Sequence, residues 1–340
     1  MEKKRIAPVL VLSTGRCGST MLSDVLNTHP EVLSLSEFFA SLGMKALARK
    51  RLSGEAMWRI CCRHSPGLQA MLAGGKDRIL YPFDSPQARF SPRNVPSILC
   101  TTLPHLTPDY EDLFNELAPL VRGRPSEKLA DQYLFLFDWL CGRFGRRVWV
   151  ERSGGSLLLG HRLVSLFPEA RVVHIYRDGR DTAISMSQHR GFKVGLALMQ
   201  KLRRMGVNLF DNPTRMPSPM LALFLLRFIN LEKMMQREFD LEDYGEMWSQ
   251  MILSGTAYLS SLPSDRVLAL RYEDVLERPR QKLRELMEFI DPDLADDIWL
   301  DEAARIPRPN PPKYVTLEPQ ARSRLTQACA PGLEALGYEA

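Results

Sequence analysis

The sequence predicts an α/β protein: a parallel sheet with helices packed on both of its faces. Two observations predict it. Short runs of consecutive apolar residues recur along the chain, and such runs suit strands buried on both sides, which need no polar alternation. Stretches with helical spacing separate them, and strands alternating with helices argue for parallel crossovers. The length of 340 residues, with 45% hydrophobic and 25% charged residues, suffices for one large domain or two smaller ones.

Taken in order, Pro8–Ser13 is a continuous apolar run ending in Thr14-Gly15, read as a buried strand feeding a tight loop. Met21–Leu26 continues with helical spacing. Arg147–Glu151 and Arg171–Tyr176 are further strands, with helical patterns over Ser156–Leu166 and Arg180–Gln188. Arg266–Arg271 is the next strand, followed by a helix over Arg278–Ile290. Pro307–Pro312 is a proline-bound loop, and a final helix runs to about Leu336. Two segments break the alternation: a proline-studded stretch at about 38–145 and a methionine-rich stretch at about 192–262. Neither shows strand signals. Both are expected as helical insertions in a single domain over 1–340, placed where open α/β sheets bind ligands.

Charge and cysteine content exclude several classes. The formal net charge of +5 is modest, and no long Lys/Arg run suggests nucleic acid. Ile6–Leu12 is too short for a signal peptide core, and Met220–Leu231 is interrupted by Arg227 and Asn230, so no membrane span is expected. The six cysteines lack a CxxC spacing or a regular framework, and Cys61-Cys62 has no accompanying ligand cluster. Free thiols, a cytoplasmic location and no metal follow as expectations.

Ser13–Thr20 carries the first chemical signal. Gly15 and Gly18 let the backbone turn so that successive amides converge on an anion, and the following helix offers free N–H groups to the same point. Ser19 and Thr20 add hydroxyls, and Arg16 adds a fixed charge. A nucleoside-triphosphate loop would end in Gly-Lys-Ser/Thr; here Ser19 follows Gly18 directly, which argues against a nucleotide kinase. The second signal is Arg177, at a strand end, with Ser185 eight residues later in the next helix. A guanidinium there suits a phosphate dianion. Asp178, Arg180 and Asp181 read equally well as a charged helix start.

Together these sites resemble the superfamily of sulfotransferases that use 3′-phosphoadenosine 5′-phosphosulfate (PAPS). Arg16-Cys17-Gly18-Ser19-Thr20 is similar to its 5′-phosphosulfate loop, and Arg177 with Ser185 to its 3′-phosphate site. Arg271-Tyr-Glu-Asp274 resembles the segment whose tyrosine, here Tyr272, lies near the adenine. Ala330–Tyr338 is similar to a closing helix of bacterial members. The resemblance covers most of 7–37, 146–190 and 264–338, and it implies a central parallel sheet of about five strands. PAPS as sulfuryl donor, with no metal, is the implied cofactor requirement.

In the tyrosylprotein and bacterial branches, a glutamate just after the second strand deprotonates the acceptor, and Glu37 occupies that position. Partial burial by Phe38 and Phe39 would help by raising its pKa. The alternative is a helix-start glutamate serving the dipole alone. His29 is a rival base, whereas His174, mid-strand, reads as core. Arg152 stands where relatives carry lysine and would stabilise the transferring sulfuryl oxygens, although Arg-Ser-Gly-Gly replaces the usual Glu-Lys-Thr-Pro-like segment. His189 matches a basic residue of the tyrosylprotein branch, and Lys313 a late lysine near the cofactor. The expected activity is in-line transfer to a hydroxyl of a small-molecule or natural-product acceptor, lipidic or carrier-bound. A kinase, or a PAPS-binding protein without turnover, is the alternative. Met199, Met205, Met216, Met220, Met234, Met235, Met247 and Met251 read as helix core, or else as a pliable groove for the acceptor.

Overall fold

The computed structural model describes residues 6–64, 68, 72, 79–86, 88–204, 206, 208, 210 and 237–339. Five parallel strands form the main sheet: β1 (Val9–Leu12), β2 (Val32–Ser36), β3 (Val148–Arg152), β4 (Arg171–Tyr176) and β5 (Val267–Arg271). Their spatial order is β2-β3-β1-β4-β5. From β1 the chain first builds outward to β2 and back to β3, then crosses to the other side with β4 and β5. The two halves therefore diverge at β1, and the crevice beyond its carboxyl end is the ligand position expected of such a sheet.

Alternation along each strand divides the interior in two. Leu10, Leu12, Leu33, Leu35, Trp149 and Val172 pack on one face, and Val9, Val11, Val150, Val173, Ile175 and Leu270 on the other. All four residues of β1 are fully buried, which is why it reads as an unbroken apolar run. Burial of each such side chain contributes about 1.5–3 kcal/mol.

The helices used below are α1 (Ser19–Asn27), α2 (Phe38–Leu42), α3 (Gly179–Ser187), α4 (Arg190–Arg204), α5 (Leu241–Leu259) and α6 (Pro319–Ala335). Two features differ from the sequence expectation. The first insertion holds a short antiparallel ribbon, Arg51–Leu52 with Glu127–Lys128, whose two-residue strands are too brief to show alternation. In the second, α5 is a core element and not a peripheral cap. It packs on α6 and α3, and an added Cβ on Gly179 or Gly332 would lie 2.2 or 2.6 Å from the Trp248 ring of α5. Met247 and Met251 are buried there, and Met199 packs against the same core. Met205, Met216, Met220, Met234 and Met235 lie outside the described residues, as does the run Met220–Leu231. Among the described residues no helix is long and apolar enough to cross a membrane, and all six cysteines are free thiols.

Candidate functional site

The register of the sheet brings five chain segments to one edge. Ser36 aligns with Arg152, and Tyr176 with Arg271, so Glu37, Ser153, Arg177 and Tyr272 each follow directly on a strand end. The loop after β1 emerges between them.

That loop is built from left-handed backbone. Gly15, Arg16 and Gly18 have φ of 78°, 62° and 88°, a conformation free of Cβ strain for glycine and costing about 1–2 kcal/mol for arginine. Packing above it also demands glycine. A Cβ on Gly18 would lie 2.1 Å from the Tyr272 ring, and one on Gly15 would lie 2.6 Å from Phe192. Arg16 is held across the sheet: its Nε donates to Ser185 Oγ at 2.9 Å, 169 residues away in sequence. Its Nη1 is buried with no partner, a donor that an anionic ligand would satisfy. α1 starts at Ser19 without a side-chain cap, so no side chain closes off its positive N-terminal end. Cys17 contributes backbone alone, because its Sγ turns into the core towards the Ile175 carbonyl at 3.4 Å and burial pushes the thiol pKa up.

Arg177 is 7% exposed and pairs through Nη2 with Asp181 Oδ2, while its guanidinium lies 4.9 Å from the centre of the Tyr272 ring. Asp178 caps α3 by accepting from the Arg180 N–H at 2.8 Å. Arg16, Gly18, Ser19, Thr20, Arg177, Ser185, Tyr272 and Lys313 thus line one cavity of about 270 Å³, together with Asp181 and Asn310. The expected loop and the expected arginine face the same space.

A second cavity of about 270 Å³ adjoins the first and shares Arg16, Ser19 and Thr20 with it. Its own walls are Glu37, Ser41, Thr101 and His189 on the polar side, with Leu68, Ile79 and Phe192 on the apolar side. The lining among described residues includes no methionine.

Glu37 sits in a left-handed turn, φ 56°, between β2 and α2. Its N–H donates to the Arg152 carbonyl at 2.7 Å. Arg152 Nη1 donates to its Oε1, and the Gly154 N–H to its Oε2 at 3.0 Å. Arg152 Nη2 reaches Ser36 Oγ at 2.7 Å. Two expectations change here. Phe38 and Phe39 turn into the core against Tyr133 and Phe137, so the carboxylate lies in an ionic and hydrogen-bonded setting rather than an apolar one. Arg152, 2% exposed, lines neither cavity and stands behind Glu37, because the strand register directs its guanidinium at Glu37 and Ser36.

Beneath this pair lies Glu151, fully buried. Its Oε1 accepts from Ser153 Oγ at 2.6 Å and its Oε2 has no partner. Ser153 in turn accepts from the Ala40 N–H at 3.0 Å, so the residue just after β3 supplies the capping that α2 lacks. Burial pushes the Glu151 pKa up to about 7, against the opposing pull of the Ser153 hydrogen bond.

His29 is placed elsewhere. Its Nδ1 accepts from the Glu31 N–H at 3.0 Å, its Nε2 lies 3.0 Å from the Leu294 carbonyl, and Trp299 packs edge-on to it. It lines neither cavity. His174 is buried, and desolvation lowers its pKa to about 4. Among the described residues no group of three or more His, Cys, Asp or Glu is placed to hold a metal ion. Four participants escaped the sequence reading. Asp181 was readable as a partner of Arg177 at a four-residue spacing. The Gly154 amide, Phe192 and Thr101 carried no signal, since their roles arise from long-range packing.

Residues 160–306 match the sulfotransferase domain family. No curated protein matches the chain. Among solved structures, the sulfotransferase domain of the Synechococcus PCC 7002 olefin synthase is 16% identical, covering 100% of this chain and 98% of its own, with a TM-score of 0.49. The sulfotransferase domain from the curacin biosynthetic pathway is 15% identical, with 99% of each chain covered and a TM-score of 0.45. A sulfotransferase of Mycobacterium avium is 13% identical, covering 99% of this chain and 79% of its own, with a TM-score of 0.45.

Proposed function

We propose that this chain, a member of the sulfotransferase superfamily, moves the sulfuryl group of PAPS onto a hydroxyl of a small-molecule acceptor. The observation that carries the reading is the wall common to the two cavities, formed by Arg16, Ser19 and Thr20. One side of it offers Arg177, Ser185, Tyr272 and Lys313 to a doubly anionic nucleotide. The other offers the Glu37 carboxylate beside an apolar surface of Leu68, Ile79 and Phe192.

In this reading the acceptor oxygen attacks sulfur and the bond from sulfur to the 5′-phosphate oxygen breaks. The adenosine 3′,5′-bisphosphate (PAP) departs with the electron pair, and the hydroxyl proton passes to Glu37. Arg16 and the positive N-terminal end of α1 stabilise charge developing on the leaving phosphate. Arg152 acts as a positioning residue, fixing the carboxylate that faces the acceptor. Lys313 adds charge at the nucleotide end, and Tyr272 flanks the purine.

PAP should raise the melting temperature without added metal, by stabilisation of about 2.7 kcal/mol at one hundred times its dissociation constant. A melting temperature that stays constant across a millimolar titration would remove the donor assignment. Arg177→Ala should weaken PAP about 10–100-fold, the worth of one or more charge-assisted hydrogen bonds. Isothermal titration of the folded variant measures it, and unchanged affinity would displace Arg177 from the nucleotide site.

A further inference from the structure

An acidic side chain in a cavity built for a dianion calls for a physical reason, and Asp181 is such a residue. It lines the nucleotide cavity and is 3% exposed. Its Oδ2 accepts from Arg177 Nη2. Its Oδ1 accepts from two successive backbone amides, the Lys313 N–H at 2.7 Å and the Tyr314 N–H at 3.0 Å. Three donors, one of them cationic, offset the negative charge, so the carboxylate can stand in an anion site without repelling its occupant strongly.

The partner segment explains the need. Residues 307–316 contain Pro307, Pro309, Pro311 and Pro312, and no strand or α-helix falls within them. Lys313 and its neighbours Pro311, Pro312 and Val315 are exposed, so apolar anchoring here comes from the half-buried Tyr314 and Leu317. Its attachment to α3 consists of the two amides on Asp181 and the Tyr314 ring, over which the Arg180 guanidinium lies at 4.1 Å. The geometry points to Asp181 as a positioning latch: one carboxylate that sets Arg177 in the wall of the nucleotide cavity and holds the Lys313 loop against it as the adjoining part of that wall. This rests on the PAP-binding reading above.

Hydrogen exchange at the Lys313 and Tyr314 amides, read in the nucleotide-free protein, tests the latch separately from nucleotide binding. In the wild type both amides should exchange at least about 100-fold slower than unprotected amides, despite their place in an exposed loop. Asp181→Ala should abolish that protection and weaken PAP about 10–100-fold. Asp181→Asn, which keeps an oxygen for both amides, should retain the protection to within about threefold. Unprotected amides in the wild type, or an Asp181→Ala variant with full protection and wild-type PAP affinity, would overturn the inference. Should Asp181→Ala fail to fold, the wild-type protection and the Asp181→Asn comparison decide it. A wild-type protein that shows the protection yet ignores PAP would instead sink the functional reading and leave the latch standing.

Discussion

Glu37→Gln is expected to lower PAPS-dependent transfer by about 10²–10⁴-fold while leaving PAP affinity nearly unchanged. The amide keeps the size of the side chain and removes its capacity to take a proton. Because Glu37 lines the second cavity and not the one that holds Arg177 and Ser185, binding and turnover should separate in the proposed reading. The variant also leaves the buried Arg152 without a counter-charge, which costs about 3–5 kcal/mol when a buried pair is broken. Thermal melts must therefore accompany the rate measurement, so that loss of fold is not counted as loss of chemistry. Glu37→Asp supplies the control: it preserves the charge for Arg152 but withdraws the oxygen by one methylene, and should be intermediate in rate. Full turnover in a folded Glu37→Gln variant would remove this carboxylate from the proton transfer.

The second large effect concerns stability. The Glu151 carboxyl, held near pKa 7 by burial against an ordinary 4.5, binds its proton more tightly in the folded chain than in the unfolded one. Its contribution is therefore fully present below about pH 4.5 and is lost progressively as pH rises through about 7. The loss amounts to about 3 kcal/mol in total. Glu151→Gln replaces the protonated acid with a neutral group that still accepts from Ser153 through its oxygen. The variant is expected to be the more stable protein at pH 8 by up to about 3 kcal/mol, and to show little advantage at pH 5. Denaturant titrations of both proteins at the two pH values measure this difference. Parallel pH dependences in wild type and variant would mean that Glu151 is ionised throughout.

Two neighbouring side chains also show how environment separates roles along one strand. Arg152 and Glu151 are adjacent in β3 and point to opposite sides of the sheet. One meets Glu37 through an ion pair, and the other meets the α2 amides through Ser153 and the Phe39 N–H at 3.4 Å. Between them they pin the left-handed turn at Glu37 from both sides.

Much of the scaffold was legible in single segments. The strand 171–176 coincides with its apolar run, and the other three runs fall within one residue of β1, β3 and β5, because a strand buried on both faces announces itself locally. β2 was not legible this way: Val32–Ser36 carries two serines, buried through hydrogen bonds from Ser34 to Ser23 and from Arg152 to Ser36. α5 was misplaced because its apolar face does not reveal which neighbour it covers.

By itself the sequence determined where the chain can turn sharply and which charges stand beside the turns: glycines at 15 and 18, cations at 16 and 177, a carboxylate at 37. Those properties are local, set by φ, charge and spacing within a few residues. Tertiary structure alone decided their partners: Arg16 with Ser185, Arg152 with Glu37 across 115 residues, and Asp181 with a proline loop 132 residues away. Such pairings depend on strand order and register, and on which face each side chain leaves, none of which any short window of sequence contains.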